Sequence, residues 1–147
     1  QAGNKSRDRR GLSRIVRKFQ KWVTVAEAEN CIPFLLLLQA FQMVQRCNNN
    51  NNNKAKNFKD IKAAFDNAIR QFALGALMRH EAVANEQFAL FALDCKEYDD
   101  AKKYMQQAVT LFRRHCFHAK VEWLSKHYAF LLSGSPKIIT MADGLPP

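Results

Sequence analysis

Three stretches of the sequence carry apolar or small residues at one repeated spacing, and this spacing is the strongest constraint on the fold. In each stretch the offsets are 0, 4, 7, 8 and 11, which trace one face of an α-helix. The three sets are Ile61, Phe65, Ala68, Ile69 and Phe72; Ala84, Phe88, Phe91, Ala92 and Cys95; and Ala101, Met105, Ala108, Val109 and Phe112. Only the segment Lys96 to Asp99 separates the second set from the third, which is too short for anything but an antiparallel helix pair.

Further helices are predicted on both sides of these three. An amphipathic pattern predicts a helix over residues 12–28, and Pro33 suits the first turn of another helix over 34–46. The last helix is expected over 117–132. Helix pairs of this size are the units of a tetratricopeptide-type solenoid. The sequence therefore predicts an all-α fold with about six helices, arranged as antiparallel hairpins in a short right-handed array.

The ends of these helices are predicted from capping residues. Asn57 can cap the helix that carries the first repeated set, and Gly75 is expected as the C′ residue at its end. Asp99 or Asp100 is expected to cap the helix that begins at Ala101. The chain then divides into a basic flexible arm (1–11), a helical repeat domain (12–132) with an inserted asparagine-rich loop (48–56), and a C-terminal tail (133–147).

Positive charge is concentrated at the beginning of the chain. The whole sequence holds 23 Lys plus Arg against 13 Asp plus Glu, a net charge of +10, and residues 1–21 contribute eight basic residues against the single acid Asp8. Such a segment could bind nucleic acid, an anionic surface or an acidic protein, or it could be a solvated tail and helix face. The residues expected to lead such binding are Arg9, Arg10, Arg14 and Arg17.

The cysteines and the hydropathy pattern favour a reducing, intracellular compartment. The four cysteines form no CxxC motif, and Cys95 falls on an apolar stripe where it can pack as a small hydrophobic residue. The longest apolar run, from Pro33 to Phe41, is too short to span a bilayer. Because the chain begins with Gln1, we expect a processed form or a fragment, so an organelle reached by a removed targeting peptide stays open.

No residue pattern predicts catalysis, a cofactor or a metal site. His115, Cys116 and His118 could suggest zinc or a Cys–His nucleophile, but they lie at a predicted turn, without a second pair at ligand spacing. A turn-exposed histidine beside a packed cysteine is the simpler interpretation. Basic side chains interleave with Tyr104 and Trp123, yet no RNA-binding motif accompanies them. We expect a protein without enzyme activity.

One set of segments, spread over roughly residues 12–132, forms a pattern that is known from other proteins. The set comprises Lys18 to Trp22, the helix Leu35 to Arg46, Phe65 to Ile69, Ala84-Asn85-Glu86, Ala101, Tyr104, Ala119-Lys120-Val121, Leu124 and Tyr128. It resembles the helical repeat module that follows the ATPase region in very large signalling proteins, which include multidomain histidine kinases, Ser/Thr kinases and nucleotide cyclases. The chain departs from that module at His115-Cys116, where the family tends to have Trp-Gly, and at Phe117, which replaces an alanine. The family's phosphate-binding loop GxxxxGK[ST] and its kinase signatures do not occur.

The resemblance implies a non-catalytic repeat scaffold. The function we expect is protein–protein interaction, as a scaffold or accessory subunit of a larger complex, with a groove on the concave side of the array. The groove residues predicted on the central helix pair are Asn85, Gln87 and Leu90. Two alternatives stay open: a regulatory fragment of a multidomain signalling ATPase or kinase, and a binder of nucleic acid or an anionic surface through residues 1–21.

Overall fold

The chain folds into an array of α-helices. The computed structural model describes residues 2–49 and 54–133, and within those ranges the regular structure is entirely helical. The helices are α1 (Ala2–Val25), α2 (Ile32–Asn49), α3 (Lys54–Leu74), α4 (Met78–Asp94), α5 (Tyr98–Arg114), α6 (His118–His127) and the single turn α7 (Ala129–Leu132), with a 3₁₀ turn at Glu29–Cys31. Each helix packs on the next one along the chain, and α7 packs back on α5. The all-α prediction is confirmed.

Three successive turns share one backbone geometry. Ala76, Lys96 and Cys116 have φ values of 55°, 64° and 59°, so the left-handed residue recurs every 20 positions. At the first turn, the Leu77 amide donates to the Phe72 carbonyl and the Ala76 amide donates to the Ala73 carbonyl. This pair of bonds is the Schellman motif, and it recurs after α4 and after α5. Because the turns repeat, α3, α4 and α5 reverse direction in the same way.

The core forms where the three predicted faces meet. Phe65, Phe88 and Met105 are all within 1% of complete burial. Phe88 lies near the rings of Phe65 and Tyr104, with centroid distances of 5.4 and 4.5 Å. The remaining members of the three sets are also buried, except Ile69 and Cys95, which are partly buried against the same core. The repeated spacing therefore predicted the core correctly.

Side chains join alternate helices of the array. Between α3 and α5, Lys62 Nζ lies 2.6 Å from Asp100 Oδ1, and the Tyr104 hydroxyl donates to Asp66. Between α4 and α6, Lys120 Nζ donates to Glu86 Oε1 at 2.7 Å. These bonds place α3 beside α5 in one layer and α4 beside α6 in another.

The N-terminal segment differs from the prediction of an extended or flexible arm. Helix α1 begins at Ala2, so the backbone of residues 2–11 is helical. It ends at Val25, before the predicted boundary at residue 28. The predicted arm and the predicted first helix are thus one element.

The predicted helix caps are wrong at three places. Helix α3 begins at Lys54, so Asn57 lies inside it. The left-handed C′ residue after α3 is Ala76. The sequence prediction put this residue one position too early, at Gly75. Helix α5 begins at Tyr98, so Asp99 and Asp100 occupy its first turn, where carboxylates still favour the positive end of the helix dipole.

The asparagine-rich loop predicted over 48–56 is helical at both of its ends. Asn48 and Asn49 continue α2 and residues 54–56 begin α3, while residues 50–53 lie outside the described residues. The predicted last helix is interrupted at Tyr128, which separates α6 from α7, although Leu124 and Leu131 are buried as expected. Of the predicted tail only Ser133 is described.

Candidate functional site

An open cleft lies over α3, α4 and α5. Its volume is about 470 Å³. Most of its lining comes from α5, whereas α4 supplies two residues and α3 one. The lining residues are Ile69, Glu81, Asn85, Lys103, Gln106, Gln107, Thr110, Leu111 and Arg114. Two of the lining residues, Ile69 and Leu111, are apolar. The other seven are polar, and four of them are uncharged.

Asn85 is the most buried polar residue of this cleft. It is 1% exposed, and its Nδ2 donates to the Glu81 carbonyl at 2.9 Å, one helical turn earlier. Its Oδ1 is buried, and none of the described residues donates a hydrogen bond to it. A buried amide oxygen without a donor costs about 1–3 kcal/mol of folding free energy. Because less than 1 Å² of this atom is exposed, it lies beneath the surface of the cleft and not on it.

Charged groups lie at the side of the cleft formed by the start of α4 and the end of α5. Burial raises the pKa of Glu81, while the nearby His115 and Arg114 act in the opposite direction. His115 follows the cleft residue Arg114 in the chain, and its buried Nε2 forms no hydrogen bond with any of the described residues. Lys103 also lines the cleft, about three helical turns before Arg114 on α5. With two cations and one carboxylate, the lining carries a net formal charge of +1.

Polar side chains on α5 form the long wall of the cleft. Lys103, Gln107, Thr110 and Arg114 stand at offsets 0, 4, 7 and 11, the same spacing as the core set but on another face of the helix. Thr110 Oγ1 donates to the Gln106 carbonyl at 2.8 Å. The wall thus offers glutamine amides that can donate and accept, and a Thr110 hydroxyl that can still accept.

The structure separates the three groove residues that the sequence predicts on α4. Asn85 lies in the cleft, but it is buried at the base and not exposed on a surface. Leu90 is partly buried and packs on the core, and Gln87 is partly buried outside the lining. The sequence prediction missed the α5 wall, although the polar stripe beginning at Lys103 was visible as a second helical periodicity.

The predicted basic residues lie elsewhere in the fold. Arg14 and Arg17 are exposed on α1, which packs on α2 and contributes nothing to the cleft lining. Arg9 and Arg10 belong to the helical backbone of α1, and their side chains lie outside the described set. The cleft and the basic helix are therefore two separate features.

Within residues 2–49 and 54–133, no group of three or more His, Cys, Asp or Glu side chains could hold a metal ion. None of the helices described there is both long and apolar enough to cross a bilayer. Comparisons of the chain with protein-family models, with curated protein sequences and with solved structures found no match.

Proposed function

We propose that this chain is a non-catalytic protein-interaction module, a scaffold or accessory subunit of a larger complex, and that the α3–α5 cleft holds an extended segment of a partner chain. The observation that carries the proposal is the open cleft itself, whose α5 wall exposes the amides of Gln106 and Gln107 and the hydroxyl of Thr110. A peptide main chain presents an N–H donor and a carbonyl acceptor at nearly every residue, and these are groups that such side chains can bond.

The dimensions of the cleft wall suit a short extended peptide. Lys103 and Arg114 are eleven residues apart on α5, which corresponds to roughly 16 Å along a helix axis. An extended chain covers that distance in about five residues. Between the two cations, Gln107 and Thr110 can bond to main-chain groups, and the cations themselves favour acidic side chains near the ends of the segment.

The proposal is tested by affinity purification with matched variants of the full chain. Gln107→Ala removes an amide from the cleft wall, and Lys103→Glu inverts the charge of that wall. Lys126→Glu makes the same charge change on an exposed position of α6, outside the cleft. We expect partner chains that co-purify with the wild type and with Lys126→Glu but not with the two cleft variants.

Gln107→Ala is also expected to leave the free energy of unfolding within about 0.5 kcal/mol of the wild type, because Gln107 is exposed. If a variant is as stable as the wild type but no longer co-purifies with partner chains, the substitution has weakened binding and has not disrupted folding. If the same chains co-purify with all four proteins, the cleft is not the binding site and the proposal fails.

The alternative of a regulatory repeat from a multidomain signalling ATPase, kinase or cyclase rests on the resemblance in residues 12–132 and stays a prediction. A longer reading frame in which this sequence follows a GxxxxGK[ST] phosphate-binding loop would favour it. An intracellular location likewise stays a prediction.

A further inference from the structure

Helix α1 has two different surfaces. Its packing face carries Val16 and Phe19, and Val16 is 4% exposed. On the flank beside that face, Ile15 is 45% and Trp22 is 48% exposed. These two residues are seven positions apart, so they lie on the same side of the helix, two turns from each other. The Trp22 ring lies beside that of Phe19 on the same helix, with a centroid distance of 5.1 Å.

The outward surface of α1 is basic. Between residues 11 and 26 the sequence has four basic residues and no acid, and the structure exposes all four, which are Arg14, Arg17, Lys18 and Lys21. The sequence adds Lys5, Arg7, Arg9 and Arg10, with Asp8, in the preceding part of the same helix. Lys18 stands between Ile15 and Trp22 in the helical register, so apolar and cationic groups are adjacent.

We propose that the outward face of α1 binds an anionic phospholipid surface, with its cations at the headgroups and Trp22 and Ile15 inserted at the level of the interface. This site is separate from the α3–α5 cleft and does not depend on the proposed peptide binding. Clusters of four or more Lys and Arg on an amphipathic helix match the charge of such surfaces, and tryptophan favours the boundary between headgroups and acyl chains.

A second copy of the chain fits this face less well. Two α1 helices face to face would oppose four cations to four. Like charges that face each other across an interface are unfavourable. At the other end of the array, Lys120 is paired with Glu86, and the charges of Lys126 and Glu122 cancel. A head-to-tail stack would therefore offer the cations of α1 no net negative charge.

A partner protein would also find little apolar area here. A stable protein interface buries about 800 Å² on each side, with an apolar core surrounded by a polar rim. The outward face of α1 offers two half-exposed large side chains on one flank and Val25 at its end, which is 71% exposed. That amount of apolar surface suits shallow insertion into a headgroup layer, where the electrostatic attraction supplies most of the binding.

The test uses vesicles of phosphatidylcholine with and without phosphatidylserine, and the full chain with Trp123→Phe, so that Trp22 is the sole tryptophan. We expect the protein to co-sediment with the phosphatidylserine vesicles and not with pure phosphatidylcholine, and to be released as salt concentration rises. We also expect the fluorescence emission of Trp22 to shift to shorter wavelength on binding, because its ring leaves water.

The charge requirement is tested with two matched triple variants. The first variant combines Arg14→Gln, Lys18→Gln and Lys21→Gln, which removes three cations from α1. We expect its affinity for the vesicles to fall by roughly fivefold for each cation removed. The second variant combines Lys59→Gln, Lys96→Gln and Lys126→Gln, which removes the same charge from exposed positions on other parts of the array. This control should bind nearly as well as the parent protein, and circular dichroism should show the same helix content for all.

Three outcomes would overturn the proposal. Equal loss of affinity in the two triple variants would show that net charge alone drives binding. Co-sedimentation without any shift of the Trp22 emission would exclude insertion of the flank. Binding to a single-stranded oligonucleotide but not to anionic vesicles would assign the face to nucleic acid.

Discussion

At the scale of single residues, the turns of this array place ordinary side chains in left-handed backbone. Ala76, Lys96 and Cys116 all have positive φ, although none is glycine. Left-handed backbone brings Cβ close to the following carbonyl oxygen in every residue except glycine, at about 1–2 kcal/mol per residue. Gly75 occupies the neighbouring position, where its φ is outside the left-handed range and an added Cβ would meet Gln71 O at 3.4 Å, an ordinary contact.

We therefore predict that Ala76→Gly raises the free energy of unfolding by about 1 kcal/mol, because it relieves the strained backbone at the C′ position. Urea denaturation measured by circular dichroism gives this difference. The control is Ala73→Gly, three residues earlier on an exposed position of α3 with helical backbone, where glycine should lower the value by about 1 kcal/mol. If both substitutions destabilise equally, the turn geometry is not as described.

At the scale of helices, the array is held together by buried polar bonds as well as by apolar faces. The Tyr104 hydroxyl on α5 donates to Asp66 on α3, and burial together with this bond raises the pKa of Tyr104 above its usual 10.0. Glu86 on α4 is 5% exposed and pairs with Lys120 of α6. Because each bond joins alternate helices, it fixes how far one helix pair is shifted along the next.

The α3–α5 bond leads to a prediction with a defined pH dependence. We expect Tyr104→Phe to lower the free energy of unfolding by about 1–2 kcal/mol at neutral pH, because the Asp66 carboxylate loses its donor. A raised pKa in the folded state means that the folded protein holds this proton more tightly than the unfolded chain. The stability contributed by Tyr104 is therefore complete below pH 10 and is lost as the pH rises above it.

The measurement is chemical denaturation of wild type and variant across this pH range, with Tyr98→Phe as the control. Tyr98 is 57% exposed, so its variant should stay within about 0.5 kcal/mol of the wild type at every pH. A difference between wild type and Tyr104→Phe that does not shrink at alkaline pH would contradict the assigned bond.

At the scale of the whole molecule, one aromatic cluster connects three consecutive helices. Phe88 on α4 is completely buried, and its ring lies 5.8 Å from Phe58 and 5.4 Å from Phe65 of α3, and 4.5 Å from Tyr104 of α5. In helical arrays, stability comes from the helix units and from the contacts between neighbours. The cluster therefore makes α3, α4 and α5 the part of the array that should unfold together.

We predict that Phe88→Ala lowers the free energy of unfolding by about 3–5 kcal/mol, because it leaves a cavity where three helices meet. Native-state hydrogen exchange should show faster exchange in α3, α4 and α5 together. Phe117→Ala is the matched control, since Phe117 is 37% exposed at the turn before α6, and its effect should be clearly smaller. Faster exchange confined to α4 would mean that the three helices unfold independently.

The sequence by itself determined where the central helices α3, α4 and α5 lie and which side of each one faces inward. The repeated spacing that begins at Ile61, Ala84 and Ala101 depends only on 3.6-residue periodicity and on the free energy of removing apolar side chains from water. Helix ends were less predictable. Cap preferences are worth about 1 kcal/mol, so at Asn57 and Gly75 the packing of neighbouring helices decided the boundary.

Only the tertiary structure decided what lies opposite each helix face. Asn85 and Glu86 look like surface residues in the sequence, yet both are buried, because α4 is packed between α3 and α5 and Lys120 of α6 reaches Glu86. The polar stripe from Lys103 to Arg114 became the wall of a cleft because α5 lies beside residues of α3 and α4 that are distant in the chain. Periodicity describes one helix at a time, whereas burial and binding depend on the neighbours that folding brings to it.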